Sequence, residues 1–107
     1  MEDLLKKHCS HDNIEPIKLG EAKYYLENVT DWAIQGNKIT KRFNFKNFKE
    51  TIKFVDKVAK IAEQENHHPY MEVAYNFVII NLTTRSIQGL SENDFILAAK
   101  IDTIKNN

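Results

Sequence analysis

Residues 47–65 carry the pattern that most constrains the fold of this chain. Apolar residues recur there every three or four positions, which is the spacing that lines them along one face of an α-helix. Asn47 can cap the start of this helix, and Glu50 stands three residues later, where a capping-box partner belongs. The apolar positions are Phe48, Ile52, Val55, Ala59 and Ala62, with Phe54, Val58 and Ile61 beside them. The pattern therefore predicts one long helix that packs against a core.

The stretch before this helix is typical of a β-hairpin. Residues 39–45 alternate between two kinds of side chain with a period of two, which predicts a strand. Residues 32–34 form a short apolar run, and the Gly36-Asn37 dipeptide between the two runs is a turn signal. An apolar stripe over residues 19–28 predicts a short helix in front of this hairpin.

The stretch after the long helix predicts a second hairpin and a closing helix. Residues 70–75 and 77–84 are β-rich runs with almost nothing between them, so Asn76 marks a tight turn. Ser91 can cap the closing helix, with Asp94 as the carboxylate of its capping box.

The elements follow the order α-β-β-α-β-β-α, which predicts an α+β fold: an antiparallel sheet of about four strands with helices packed on one face. A chain of 107 residues has the size of a single domain. We take residues 1–107 as that domain, in which residues 1–18 carry no clear pattern. A single helix layer leaves sheet surface and strand edges uncovered, so we expect a homodimer or homotetramer.

Composition and charge narrow the class of partner. Fifteen basic and fifteen acidic residues cancel, so the net charge gives no reason to expect a direct nucleic-acid or anionic-membrane partner. No apolar run approaches the roughly 20 residues that a membrane span needs, and the first five residues do not resemble a signal peptide. The lone Cys9 has no internal disulfide partner, which fits a reducing cytosol. We therefore expect a cytoplasmic protein.

The adjacent residues His67 and His68, followed by Pro69, have the clearest chemical meaning. An unperturbed imidazole titrates at about pH 6.5, so it can take or give a proton near neutrality. Pro69 fixes its own φ and biases His68 toward an extended conformation, so the pair lies on a defined turn. Glu63, near the last turn of the long helix, is within reach to orient or charge an imidazole. This arrangement indicates acid–base chemistry.

A tight turn at Asn76 sets the register of the second hairpin. In that register, to within one or two residues, His67 lies opposite Arg85 and His68 lies opposite Thr84. Several polar residues then converge on one rim of the sheet, where a small planar ligand can be held. They are Thr83, Thr84, Arg85, Ser86 and Asp94.

Each of these residues also has an ordinary structural role, and the residues alone leave that alternative open. Two histidines at a helix C-terminus can satisfy the last carbonyls and complement the helix dipole. Glu63 can be solvated on a charged helix, Asp94 is explained as a cap residue, and Arg85 at a strand end can simply be exposed. The convergence favours a functional site but names no substrate.

The N-terminal segment contains three potential metal ligands, His8, Cys9 and His11. A second ligand cluster at finger-like spacing is missing from the sequence. We therefore expect no metal site and interpret the two histidines as tail residues. Four aromatic residues fit the packing stripes and are predicted to lie in the core, and three basic residues are predicted to be solvated. They are Tyr25, Trp32, Phe48 and Phe54, and Lys38, Lys41 and Arg42.

The motifs resemble those of the pterin-4a-carbinolamine dehydratase family, also known as the dimerisation cofactor of a homeodomain transcription factor. The resemblance extends from about Trp32 to Asp102, and its strongest part is residues 62–69, which match the family's glutamate, three residues and His-His-Pro. Further matches follow in the correct order and spacing. They are Tyr75, Leu82-Thr83-Thr84, Gly89-Leu90-Ser91, Asp94 and Leu97 to Asp102.

The resemblance implies a dehydratase that removes water from 4a-hydroxytetrahydropterin and gives quinonoid dihydropterin, in tetrahydrobiopterin recycling, without a metal or organic cofactor. Such chemistry needs a general acid for the departing hydroxyl and a base for a ring-nitrogen proton. It implies that His67 and His68 do this, that Glu63 orients one of them, and that Asp94 supports the site. Pterin contacts are then expected from the flanking residues Asn66, Pro69, Thr83, Thr84, Arg85 and Ser86.

One departure from the family pattern separates two classes of function. The family's third active-site histidine aligns with Arg85, and an acidic neighbour aligns with Ser86. Arginine stays protonated in proteins and cannot act as a base, although it can hold a carbonyl or stabilise negative charge. The leading hypothesis is therefore the dehydratase, and the alternative is a non-catalytic binding protein of the same fold that serves as an assembly or transcriptional partner.

Overall fold

The computed structural model describes residues 4–104, and their elements follow the predicted order. The helices are α1 (Leu19–Leu26), α2 (Phe48–Glu65) and α3 (Glu92–Asp102), and the strands are β1 (Ala33–Gln35), β2 (Lys38–Asn44), β3 (Tyr70–Val73) and β4 (Phe77–Leu82). Two short 3-10 turns were not predicted, at Leu4–Lys6 and Arg85–Ile87. The α+β fold class is confirmed.

The four strands form one antiparallel sheet in the order β1-β2-β4-β3. Alternate residues of the two central strands are fully buried and belong to the same apolar core as residues of α2 and α3. The rings of Phe43 on β2 and Phe54 on α2 lie 4.7 Å apart. Apolar area removed from water is the main stabilising contribution in such a core. The sheet and the long helix thus form a rigid frame whose loops carry the polar residues.

Helix α2 begins as predicted, but its buried face is rotated from the predicted stripe. The Asn47 side chain accepts a hydrogen bond from the backbone N–H of Glu50 at 2.9 Å. Phe54, Val58 and Ala62 are buried, whereas Phe48 is 49% exposed. The prediction that Phe48 lies in the core is wrong, because the buried face passes through Thr51 and Glu65 instead. The sequence of this helix contains two overlapping apolar stripes, and the spacing alone does not say which of them faces the core.

Lys41 is largely removed from solvent, which makes the prediction of a solvated basic cluster wrong for this residue. Its side chain is 10% exposed, and its ammonium lies 2.8 Å from a carboxylate oxygen of Asp102. That carboxylate accepts further hydrogen bonds from Thr30 N–H and from the Trp32 indole. Lys41 lies on the inner face of β2, and the ion pair lets its charge remain there.

The second hairpin turns through Tyr75 and Asn76, with Ala74 N–H donating to the Phe77 carbonyl at 2.9 Å. Met71 therefore lies opposite Ile80, one residue away from the predicted register. This shift lies within the predicted tolerance of one or two residues. Strand pairing does not extend to the predicted partners, because β3 begins at Tyr70 and β4 ends at Leu82. A two-residue loop is centred between two residues and not on one of them, which explains the shift.

The N-terminal strap, which we define as residues 8–17, packs across the ends of α2 and α3. Cys9 N–H donates to a carboxylate oxygen of Glu65 at 2.7 Å, and Ser10 exchanges two hydrogen bonds with the Asn93 side chain. Ile17 N–H donates to the Leu90 carbonyl at 2.8 Å. The expectation that this region is a tail is therefore wrong.

Candidate functional site

The histidine pair leaves the C-terminal end of α2 through a left-handed residue. Asn66 has φ 50° and ψ 41°, a conformation that asparagine tolerates better than most residues. The His67 N–H donates back to the Ala62 carbonyl at 3.2 Å and closes the helix end. Pro69 then precedes β3. This local reversal carries both imidazoles away from the helix axis.

His67 is held by a buried carboxylate. Its Nε2 lies 2.7 Å from Oδ1 of Asp94, and the two side chains are 10% and 0% exposed. The other oxygen of Asp94 accepts hydrogen bonds from the Ser91 N–H and the Thr84 hydroxyl. A carboxylate accepts hydrogen bonds, so Nε2 of His67 is the donor and Nδ1 is the nitrogen left for other partners. The predicted capping box of Ser91 and Asp94 is present, and the same carboxylate orients the imidazole.

His68 is held in the same way by an exposed carboxylate. Its Nε2 hydrogen-bonds to Oε2 of Glu63, one helical turn earlier in the chain, and the two side chains are 52% and 77% exposed. Nε2 is again the donor and Nδ1 the remaining nitrogen. The site thus contains two imidazole–carboxylate pairs of like geometry, one buried and one in contact with solvent.

Both histidines line a cavity of about 240 Å³. Of the predicted site residues, those that line it are Asn66, His67, His68, Thr83, Thr84, Arg85 and Ser86. Glu63 and Asp94 lie behind the histidines and do not line it, and Pro69 does not line it either. A neighbouring hollow of about 150 Å³ shares His68, Thr83 and Arg85 with it. Two hollows of similar volume elsewhere, about 270 and 310 Å³, are lined by no histidine.

The far wall of the cavity is the segment that follows β4. Thr84 is buried, and its hydroxyl bonds with both Ser91 and Asp94, so it ties this wall to the start of α3. Thr83 donates its hydroxyl proton to the Asn37 carbonyl, which ties the wall to the first hairpin. Arg85 is exposed and begins the short 3-10 turn. The Thr83 and Thr84 hydroxyls are therefore held by the fold, and Arg85 is the charged residue of this wall that lines the cavity.

Three residues that line the cavity were not predicted to do so: His11, Ile14 and Asn93. The first two belong to the N-terminal strap, and Asn93 binds that strap at Ser10. The cluster His8-Cys9-Ser10-His11 was a visible signal of chemistry, but its spacing says nothing about which surface it covers. Among residues 4–104, no three His, Cys, Asp or Glu side chains are placed to hold a metal ion.

Glu65 is the electrostatic anchor beneath the strap. Burial alone would raise its pKa, but hydrogen bonds from Lys100, from the Cys9 N–H and from His8 outweigh that effect and lower the pKa to about 2. The adjacent Cys9 thiol shows the opposite effect, since burial and the negative charge of Glu65 raise its pKa to about 12. The strap is therefore fixed by a charged carboxylate and carries an unreactive thiol.

The arrangement is suited to proton transfer. A neutral imidazole whose Nε2 donates to a carboxylate offers a lone pair at Nδ1, and a protonated one offers a proton there. Two such groups on one cavity can act as acid and base toward the same bound molecule.

In the described part of the chain, no helix is long and apolar enough to span a bilayer.

Comparisons with known proteins agree on one family. The family model described as "Pterin 4 alpha carbinolamine dehydratase" matches residues 15–104. A protein of Bdellovibrio bacteriovorus named "Putative pterin-4-alpha-carbinolamine dehydratase" is 42% identical over 98% of this chain and 90% of its own length. A protein of the same name from Nitrosomonas eutropha is 41% identical over 95% of this chain and 93% of its own.

Two solved structures are similar in fold. A crystal structure of a "transcriptional coactivator/pterin dehydratase" from Brucella melitensis has a TM-score of 0.82 and 32% identity, over 86% of this chain and all of the other. A "pterin dehydratase-like protein" described as a RuBisCO assembly factor in the alpha-carboxysome has a TM-score of 0.62 and 26% identity, over 71% of this chain and 90% of the other.

Proposed function

The chain belongs to the pterin 4 alpha carbinolamine dehydratase family, and from that premise we propose that it dehydrates 4a-hydroxytetrahydropterin. The observation that carries the proposal is the pair of imidazoles on one cavity, each bound to its own carboxylate. In the reaction the bond from C4a to the hydroxyl oxygen breaks, and the electron pair of a ring N–H bond forms a carbon–nitrogen double bond. One imidazolium gives its proton to the departing hydroxyl, which leaves as water, and one neutral imidazole takes the ring-nitrogen proton.

The two imidazole–carboxylate pairs fit this division of work. Each carboxylate fixes its histidine with Nε2 as donor, so Nδ1 is the atom that exchanges protons with the pterin. A carboxylate behind an imidazole also stabilises the imidazolium that forms during transfer. Arg85, as a permanent cation with planar donors, is suited to bind the pterin carbonyl. Release of the proton from the catalytic imidazolium to solvent is favoured at His68, whose side chain is half exposed.

The test is a stopped-flow measurement of carbinolamine dehydration by the wild-type protein and its His67→Ala and His68→Ala variants. Each substitution should lower the rate by roughly 10²-fold or more, the usual scale for loss of a general acid or base. His8→Ala is the matched control, because His8 is 80% exposed and does not line the cavity. Equal rates for the wild type and both site variants would contradict the proposal.

A second candidate function is a binding or assembly role that uses the same fold without catalysis. Two points favour it: the motif resemblance aligns Arg85 with a family histidine, and one structural relative is described as an assembly factor. A wild-type protein that binds pterin but shows no dehydration above background would support this role.

We also propose that the protein acts in the cytoplasm, as a homodimer or homotetramer, in tetrahydrobiopterin recycling.

A further inference from the structure

The N-terminal strap brings a third imidazole to the cavity. His11 lines the same cavity as His67 and His68, although it precedes them by more than fifty residues in the chain. The two residues before His11 fix the strap: Cys9 N–H donates to the Glu65 carboxylate, and Ser10 exchanges two hydrogen bonds with Asn93. The cavity is open to solvent, so His11 is exposed when no ligand is bound. The hydrogen bonds of Cys9 and Ser10 therefore place His11 at the cavity.

The orientation of the His11 ring follows from its hydrogen bond to the backbone of Glu65. Its Nε2 lies 2.9 Å from the backbone carbonyl oxygen of Glu65. A carbonyl oxygen can only accept a hydrogen bond, so Nε2 must carry the proton. In the neutral ring Nδ1 then holds a lone pair and acts as an acceptor. The side chain of Glu65 is itself ion-paired with the Lys100 ammonium at 2.6 Å.

We infer that His11 is a ligand-binding residue of this cavity and that its Nδ1 accepts a hydrogen bond from an N–H or O–H group of the bound pterin. The inference rests on the proposed function for the identity of the ligand. Arg85 can only donate hydrogen bonds, whereas the edge of a pterin carries N–H donors as well as a carbonyl. The Nδ1 atoms of His67 and His68 are assigned to proton exchange in the proposed reaction, and His11 supplies a further acceptor from a segment outside the histidine pair.

The chain itself offers a matched control on the same strap. His8 also bonds with Glu65, through Nδ1 and a carboxylate oxygen at 2.8 Å, but it does not line the cavity. Replacing either histidine by glutamine removes an imidazole from the strap. In His11→Gln the side-chain amide N–H can still donate to the Glu65 carbonyl. The acceptor at the Nδ1 position is lost, because the amide oxygen lies at the end of the side chain beside the donating nitrogen. The two variants therefore separate ligand binding from anchoring of the strap.

The experiment measures the affinity of biopterin for the wild type, His11→Gln and His8→Gln by calorimetry. We expect His11→Gln to bind about 3- to 10-fold more weakly, the scale of one lost hydrogen bond. His8→Gln should bind within about twofold of the wild type, because it leaves every cavity residue unchanged. Unchanged affinity in His11→Gln would overturn the inference, and so would an equal loss in His8→Gln, since the effect would then come from the strap.

Nitrogen-15 NMR of the histidine rings gives a second readout that a purely structural role would not change. We expect neutral His11 to be the Nε2–H tautomer and its Nδ1 resonance to move when biopterin is added. The opposite tautomer, or an Nδ1 resonance that biopterin leaves unmoved, would overturn the inference. A wild-type protein that does not bind biopterin would contradict the proposed function too, whereas normal binding by His11→Gln contradicts only the role of His11.

Discussion

Oδ1 of Asp94 lies 2.7 Å from Nε2 of His67, so the carboxylate that caps helix α3 also orients an imidazole of the cavity. The same side chain accepts hydrogen bonds from Ser91 and Thr84 and is fully buried. Fold stability and site geometry therefore depend on one group. Glu63, the partner of His68, is exposed, so its carboxylate satisfies no buried donors as that of Asp94 does.

Asp94→Asn is expected to lower both stability and dehydration rate. Replacing the carboxylate by an amide leaves fewer acceptors for the buried donors, at a cost of about 1–3 kcal/mol in the free energy of unfolding. The new amide N–H can also donate to His67 Nε2 and so move the imidazole proton to Nδ1, for a rate loss of about 10²-fold or more. Denaturant unfolding and stopped-flow kinetics measure the two effects.

Glu63→Gln is the control for that prediction. Its ion pair with His68 is solvent-exposed, so the free energy of unfolding should change by no more than about 0.5 kcal/mol. Equal losses of stability in Asp94→Asn and Glu63→Gln would contradict the view that the buried pair alone serves both fold and site.

Arg85→His is expected to keep or raise the dehydration rate. The substitution places an imidazole at the position that the motif resemblance aligns with a family histidine, and under the proposed function His67 and His68 still transfer protons. The measurement is the rate of wild type, Arg85→His and Arg85→Met between pH 6 and 9, where the methionine variant removes the charge without adding an imidazole. A rate for Arg85→His far below that of the wild type would mean that the guanidinium itself is essential.

Glu65 should make the fold sensitive to acid. Its pKa is lowered to about 2 in the folded state, whereas an unfolded glutamate titrates at about 4.3. Its stabilising contribution is therefore fully present above about pH 4.3 and is lost as the pH falls toward 2. Unfolding free energies of Glu65→Gln should depend less on pH over this range than those of the wild type. Glu72→Gln, at an exposed position of β3, should retain the wild-type dependence.

Cys9 should react slowly with thiol reagents while the protein is folded. Its pKa of about 12 leaves very little thiolate at pH 8, and the thiolate is the reactive form. Against a free cysteine of pKa about 8.5, the reactive fraction falls by about 10³-fold. Ellman's reagent should therefore label the native protein far more slowly than the denatured one, and Glu65→Gln should increase the native rate. Equal rates in the native and denatured protein would show that the thiol is accessible and ionisable.

The two edge strands predict self-association. Ile34 on β1 is 41% exposed, and Tyr70 and Val73 on β3 are 59% and 44% exposed. Edges that carry apolar side chains are templates for pairing with a second chain. Light scattering at micromolar concentration should report a dimer or tetramer, and Val73→Lys or Ile34→Lys should weaken the assembly at whichever edge is used. A wild-type monomer at this concentration would contradict the prediction.

Local signals in the sequence predicted the elements and part of the site. Ser91 and Asp94 form a capping box whose residues are three positions apart, so their contact follows from helix geometry alone. Glu63 and His68 are likewise near in sequence, and the end of one helix brings them together. The element order followed from periodicities of two and of three to four residues.

Contacts between distant segments could not be predicted in this way. Lys41 has its partner in Asp102, sixty-one residues later, and no periodic pattern links the two. His11 reaches the carbonyl of Glu65 across fifty-four residues, through an irregular segment whose spacing carries no register. The register of the second hairpin was predicted only to within one or two residues, because an error of one residue in the position of the turn changes every facing pair of the two strands.

The position of the N-terminal strap has a consequence for the order of folding. Contacts that join the strap to Glu65 close loops of more than fifty residues, and such long-range contacts are slow to form because chain entropy opposes them. The hairpins and helix α2 depend on nearer neighbours and can form first. The cavity should therefore be completed in the last kinetic phase of refolding, so recovery of pterin binding would lag behind recovery of helical circular dichroism.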